Sequence, residues 1–263
     1  MTERNVQLGL GLINIGMKWG ARPVSVPGEA EAVAFVEAAY ELGFRLFDTA
    51  PSYGDSSEVK LGIFLKNLSR DERGLVTVAT KFGEHWDNEK GAAYGDHSYD
   101  ALCRSVEQSL RRLGSIDLLQ LHRTTVEVLR SADLAKAWEF ALKAGVKKIG
   151  VSASTPAPAA LTLELGYGVM QMPYNVTRED MGPVFREAAS RGVELLINRP
   201  YQAGASLYDE AGLSRAALFA HVLSVPFQGW VLTGTRSVEH LKENLGAFRQ
   251  ALDLVEQNER KTN

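Results

Sequence analysis

"EAEAVAFVEAAYELGFRLFD", residues 29–48, holds one helix-to-strand unit and ends on a carboxylate. Apolar residues recur at spacings of three and four up to Gly43, which predicts an amphipathic helix stopped by glycine. Arg45–Phe47 then reads as a short buried strand that closes on Asp48. A phenol, Tyr53, follows five residues later in APSYGDSSE. A buried strand that ends on a carboxylate, with a phenol close by, needs a chemical reason.

The same unit repeats along the chain. Apolar runs stand at Leu8–Ile13, Arg45–Phe47, Leu75–Thr80, Ile116–Leu121, Lys148–Val151, Val169–Met172, Val193–Ile197 and Phe227–Leu232. Helical spacing fills the gaps. SYDALCRSVEQSLRRLG opens on Ser98 as N-cap and stops at Gly114, and SVEHLKENLGAF opens on Ser237. The strands are continuous apolar runs, as in a parallel sheet covered by helices. Eight alternations in 263 residues favour a closed (β/α)8 barrel, a TIM barrel, over an open doubly wound sheet. Residues 1–263 are expected to form a single barrel domain. Gly83–His97 is expected to be the longest loop, and the polar tail from Glu256 to Asn263 to fray.

Composition narrows the function classes. The chain is 45% hydrophobic, enough for a sizeable core, and carries a formal net charge of −3. No strong field of either sign points to nucleic acid or an anionic membrane. The lone cysteine, Cys103, has no partner for an internal disulfide and reads as a packed thiol. No apolar run is long enough to span a bilayer, and MTERNVQLGLGL does not read as a secretion signal. The expectation is a soluble cytoplasmic protein whose oligomeric state is open.

In such a barrel the chemistry sits where strands finish. The second run ends at Asp48, the third at Lys81, the fourth at His122 and the fifth at Ser152. The sixth passes through Gln171, and the seventh ends at Asn198 and Arg199. One polar end is an ordinary loop entrance; six on one face make the floor of a pocket. The five histidines show no HExxH or paired-ligand spacing, so no metal site is expected. GVSAS lacks the last glycine of a nucleophile elbow, and GLGLIN lacks that of a dinucleotide fingerprint.

Asp48, Tyr53, Lys81 and His122 remain. A free tyrosine titrates near about 10 and is a poor acid at neutrality. A nearby ammonium pulls that value down, a carboxylate holds the lysine, and a neutral histidine orients a carbonyl oxygen. Together they form a general-acid site that protonates a carbonyl oxygen as charge develops on it. The partner reaction at carbon is naturally hydride addition.

These residues sit in FDTAPSYGDSSEVKLG, VATKFG, SVEQSLRRLGSIDLLQLH, KKIGVSAS, QMPYN and GTRSVEHLKENLG. In order and spacing the chain resembles the aldo-keto reductases, in their bacterial branch, along nearly its whole length. The resemblance implies an enzyme that interconverts an aldehyde or ketone and its alcohol with NAD(P)(H). It implies Tyr53 as proton donor, Lys81 and Asp48 as its tuning pair, and His122 as carbonyl orienter. Ser152 and Gln171 match residues that hold the nicotinamide carboxamide. Asn198 and Arg199 stand where the family often stacks an aromatic on the nicotinamide. Gly234, Thr235, Arg236, His240, Glu243 and Asn244 match the adenosine-phosphate segment. NADP(H) is expected over NAD(H), which remains possible.

The chain departs from the family pattern at Ala153, where an asparagine is frequent, at Gly234 for lysine, and at His240 for arginine. Trp19 and Trp86, with Tyr94 and the loop Tyr201–Gly212, are expected to line the substrate pocket. The alternative reading is a nucleotide-binding regulatory or redox-sensing subunit on the same fold. A cofactor-free isomerase or lyase would not need GTRSVEHLKEN.

Overall fold

The computed structural model describes residues 5–20, 25–54, 56–202 and 212–262. Eight parallel strands close into a barrel: β1 (Asn5–Gly11), β2 (Leu46–Asp48), β3 (Thr77–Phe82), β6 (Leu118–Leu121), β7 (Lys148–Ser152), β8 (Val169–Pro173), β9 (Glu194–Asn198) and β10 (Gln228–Gly234). Around the barrel each strand pairs with its sequence neighbours, and β10 closes against β1 from Asn5↔Gln228 to Gly11↔Gly234. All eight predicted runs are strands, within a few residues. Leu75 lies outside its strand, exposed as the C-cap of the helix Arg70–Gly74.

The expected long loop Gly83–His97 is instead largely an antiparallel hairpin, β4 (Glu84–Asp87) and β5 (Ala92–Gly95). Four-residue strands with no apolar alternation give no periodic signal. What folds them is the turn: Asp87 Oδ1 accepts from the backbone N–H of Glu89 and Lys90, at 3.0 Å each.

Side chains alternate in and out of the barrel with period two. Six residues form a small apolar cluster of their own: Leu46, Ala79, Leu118, Val169, Leu196 and Leu232. The other two strands contribute Gly9 and Gly150 near this level, where the leucines take the space. A Cβ on Gly9 would come within 2.7 Å of Leu232 Cδ2, and one on Gly150 within 3.0 Å of Val169 Cβ. Two residues further along the same eight strands stand Gly11, Asp48, Lys81, Gln120, Ser152, Gln171, Asn198 and Gly234. The apolar layer is therefore the floor and the polar layer is what rests on it.

The outer core lies between strands and helices. In the helix Glu29–Glu41 the buried residues are Ala32, Phe35, Val36 and Ala39, one face at helical spacing. Gly43 follows at φ 99° and Gly114 ends the helix Tyr99–Leu113 at φ 78°, both conformations that favour glycine. Ser98 occupies the N-cap, but its hydroxyl donates to Asp96 Oδ1 at 2.7 Å instead of accepting from the helix. Ser237 does accept, from the His240 N–H at 3.3 Å.

Glu58 ties three elements together below the polar layer. Its buried carboxylate accepts from Thr80 Oγ1 (2.7 Å), Ser109 Oγ (2.7 Å) and Arg112 Nη1 (2.9 Å). Removing one partner of a buried pair leaves the others unsatisfied. Glu58→Ala is expected to lower unfolding free energy by about 3 kcal/mol. The urea midpoint measures it, and a shift under about 1 kcal/mol would show the network to be dispensable.

Candidate active site

Asp48 and Lys81 meet on adjacent strands above the apolar floor. Lys81 Nζ donates to Asp48 Oδ1 at 2.8 Å, Oδ2 at 2.7 Å and the Thr49 carbonyl at 3.0 Å. Both residues are almost wholly buried. Gln120 Nε2 adds a 3.0 Å donor to Asp48 Oδ1, and Gln171 Nε2 a weaker one at 3.4 Å to Oδ2. The lysine is thus fixed by three acceptors and the aspartate is saturated with donors. Burial works against the Lys81 ammonium, yet Asp48 and Tyr53 outweigh it and raise its pKa.

Tyr53 lies on the loop after β2, half-buried against the cavity. Lys81 Nζ sits 5.0 Å from its ring centroid. The loop is seated on backbone: a Cβ on Gly16 would lie 1.8 Å from the Tyr53 carbonyl oxygen, so only glycine admits this approach. Burial pushes the phenol above its usual value, and the Lys81 ammonium opposes this without reversing it. The expected lowering by lysine is therefore present but outweighed by desolvation. His122 meets Tyr53 edge-on, ring centroids 6.2 Å apart.

These four residues line one cavity of about 1080 Å³. The same cavity takes in Ser152, Gln171, Asn198 and Arg199 on one side, and Gly234, Thr235, Arg236, His240 and Asn244 on the other. Glu243 is not among its lining residues; it pairs with Arg215, which is, at 2.6 Å. Arg215 and Tyr201 both donate to Asn244 Oδ1, at 3.1 and 3.3 Å. Arg236 Nη1 donates to the Ser25 carbonyl, tying the last βα loop to the chain before the helix Glu29–Glu41.

Trp19 lines the cavity, with the Arg199 guanidinium 5.8 Å from its ring centroid. Arg199 itself is held in a left-handed conformation, φ 56°, and its carbonyl accepts from Asn175 Nδ2 at 2.8 Å. Trp86 and Tyr94 are not among its lining residues: with His85 they line a separate cavity of about 230 Å³ between the hairpin and the helix Tyr99–Leu113. His85 and Tyr94 are cross-strand partners on one face, their ring centroids 5.3 Å apart, whereas Ala93 and its partner Trp86 take the other face, on which Ala93 reaches the large cavity. Of the loop Tyr201–Gly212, residues 203–211 lie outside the described residues.

The cavity holds buried acceptors without partners: Asn14 Oδ1, Gln171 Oε1, Asn198 Oδ1 and Thr233 Oγ1. Unpaired buried polar atoms are costly, and so many in one cavity suit a polar ligand. Among the described residues no group of three or more His, Cys, Asp or Glu is placed to hold a metal ion. None of the helices there is long and apolar enough to cross a membrane.

The model of the Aldo/keto reductase family matches residues 7–212. The chain belongs to this family. Among its relatives, D-threo-aldose 1-dehydrogenase of a Pseudomonas species is 34% identical over 162 residues, 55% of this chain and 47% of that one. An aldo-keto reductase of Bacillus subtilis is 30% identical over 182 residues, 66% of this chain and 52% of that one. The chain thus spans about half the length of the curated relatives it matches. A solved chain from Pseudomonas aeruginosa assigned to the aldo-keto reductases superposes with a TM-score of 0.77 at 27% identity. That match covers 93% of this chain and 90% of the other. The holo form of an aldo-keto reductase from Bacillus halodurans, 21% identical, shares the fold with a TM-score of 0.75 over 97% and 96% of the two chains.

Several residues of the site escape a strand-end reading. Gln120 lies inside the apolar run LLQL, where a polar residue is itself the signal. Glu84 and Ser52 reach His122 from the hairpin and a loop, Arg123 holds Glu84, and Arg215 arrives from the helix Arg215–Leu223. No local pattern marks these four.

Proposed function

We propose that this aldo/keto reductase family member is an oxidoreductase that interconverts an aldehyde or ketone and its alcohol, with Tyr53 as the proton donor and NADP(H) as the preferred cofactor. The observation that carries this reading is the buried Lys81–Asp48 pair beside the Tyr53 phenol, all facing one cavity. When bound, the cofactor supplies or accepts the hydride. The chain handles the proton. Tyr53 gives its proton to the substrate oxygen during reduction, and the resulting phenolate is stabilised by Lys81, which Asp48 keeps charged and in place. In oxidation the same phenolate takes the proton back.

The residues present fit a nicotinamide nucleotide. The partnerless oxygens of Gln171 and Asn198 suit the N–H groups of a carboxamide, and Ser152 stands beside Gln171 in the register of β7 and β8. Thr235, Arg236, His240 and Asn244 would hold the adenosine end, at the start of the helix Val238–Thr262, where backbone N–H groups favour phosphate. A panel of aldehydes and ketones with both reduced cofactors, followed by nicotinamide absorbance, tests the activity. No oxidation of either cofactor across the panel would refute it.

Cofactor choice should rest on Arg236. Its guanidinium suits a 2′-phosphate, but in this structure it is engaged by Ser25, so the phosphate must win it from a carbonyl. The expected preference for NADP(H) is therefore modest, about tenfold. Arg236→Ala is expected to abolish it, read by fluorescence titration with both nucleotides. An unchanged ratio of affinities would remove Arg236 from the role.

A further inference from the structure

The smaller cavity, of about 230 Å³, has no part in the chemistry described above. It falls below the range of drug-sized ligand sites, which begin near about 300 Å³. The helix Tyr99–Leu113 turns one face to it. Arg104, Gln108 and Arg112 stand on that face at i, i+4 and i+8, with Ser105 beside them. Pro51, on the loop that carries Tyr53, and Asn88, in the hairpin turn, also line it.

Donors dominate this wall. Arg104 and Arg112 bring guanidinium groups, and Gln108 and Asn88 bring amides that can turn an N–H inward. Arg112 spends Nη1 on Glu58, at 2.9 Å. Among the described residues Arg104 makes no ion pair or hydrogen bond, and acts only through space on Asp96. Asp96 is the carboxylate of the lining. Its Oδ1 is committed to the Ser98 N–H at 3.0 Å and Ser98 Oγ at 2.7 Å, and those bonds hold the carboxyl below its usual range. Two cations thus face one carboxylate that already has partners. Ser105 is 2% exposed, and its Oγ is buried without a hydrogen bond. An unpaired buried hydroxyl is costly, so it too calls for an acceptor.

We propose that this cavity is a binding site for a phosphate group, free or on a small ester, held by Arg104, Arg112 and Gln108 between the helix and the hairpin. The two arginines lie eight residues apart, about 12 Å along the helix axis, and both reach the same cavity with Gln108 between them. A carboxylate occupies one guanidinium fork. A tetrahedral phosphate has oxygens for two forks at once and charge to match them. A bound phosphate would link the helix to the hairpin, whose Glu84 and Ala93 line the large cavity. It would therefore brace one wall of the active-site cavity from behind. The site needs neither cofactor nor turnover, so it stands or falls apart from the oxidoreductase reading.

Calorimetric titration of the whole chain with inorganic phosphate and with glycerol phosphate, at constant pH and ionic strength, tests the site. Arg236→Ala serves as the background, so that the loop proposed to hold the cofactor's phosphate does not compete. Saturable binding is expected there, weakened about tenfold by Arg104→Gln. Arg104 is exposed, so its replacement leaves the core untouched. Asp96→Asn keeps an acceptor for Ser98 and removes the opposing charge, and should tighten binding about threefold. Amide resonances of residues 84–95 and 101–112 should move with the same affinity. The tighter of the two ligands identifies the source, the free ion or an ester. No saturable binding of either would overturn the proposal. So would binding that ignores both Arg104→Gln and Asp96→Asn, or amide shifts confined to residues outside the hairpin and this helix.

Discussion

Tyr53→Phe is expected to lower turnover of a carbonyl substrate by about 10²–10⁴ while leaving nucleotide affinity nearly unchanged. The substitution keeps the ring that packs over Lys81 and against His122 and removes only the hydroxyl. The Lys81–Asp48 pair keeps its own hydrogen bonds, because Asp48 and Thr49 supply three acceptors to Lys81 Nζ. What disappears is the proton at the substrate oxygen, so the loss should fall on kcat with KM little changed. Stopped-flow hydride transfer and a parallel fluorescence titration separate the two effects. Wild-type turnover in the phenylalanine variant would remove Tyr53 from the chemistry.

The state of that phenol is set by burial and by the charges beside it. Burial is the larger influence on Tyr53 and holds its proton on, which suits an acid waiting for a carbonyl. Lys81 acts against that burial, and its effect grows in importance once negative charge appears on the phenol during transfer. A general acid is useful when it holds its proton until the substrate needs it. With Tyr53 as the proposed proton donor, the lysine would serve the transition state more than the resting enzyme.

Much of this arrangement was legible in the sequence because a barrel strand writes its inner face at every second residue. Leu46 and Asp48, Ala79 and Lys81, Leu196 and Asn198 are pairs of this kind, apolar below and polar above. A run that turns polar at its last inward position therefore names both the strand and the pocket. Gln120 follows the same rule but sits between leucines, so its bond to Asp48, 72 residues away, becomes visible only when the barrel closes. Glu84 obeys no such rule. Its strands are four residues long, and its contact with His122 is set by how the hairpin folds over the barrel mouth. Trp86 shows the same limit, since an aromatic in a polar segment carries no sign of which side of a hairpin it takes. Arg236 is placed by a partner, Ser25, from the opposite end of the chain.

Lys81→Met is expected to lower turnover by about 10³ and to move the pH profile upward. The methionine fills much of the same volume but leaves Asp48, 2% exposed, with only Gln120 and the weak Gln171 contact as donors. Tyr53 loses the one cation that opposes its desolvation, while the Asp48 charge that also raises its pKa stays in place. The sign follows. With the phenol's pKa raised further, the alkaline limb of reduction, where the acid form is lost, shifts to higher pH. The rising limb of alcohol oxidation, which needs the phenolate, shifts the same way, so oxidation at a fixed pH should suffer more than reduction. Asp48→Asn gives an independent measure, because it keeps the lysine but replaces its two carboxylate acceptors with one neutral amide oxygen. The buried ammonium then has only the Thr49 carbonyl and a neutral amide oxygen, and burial should depress its pKa, so this variant should approach the methionine profile as pH rises. Rates in both directions across pH 6–10 are the measurement. A limb in Lys81→Met that stays where wild type has it, at measurable activity, would show that the lysine positions the loop without tuning the acid.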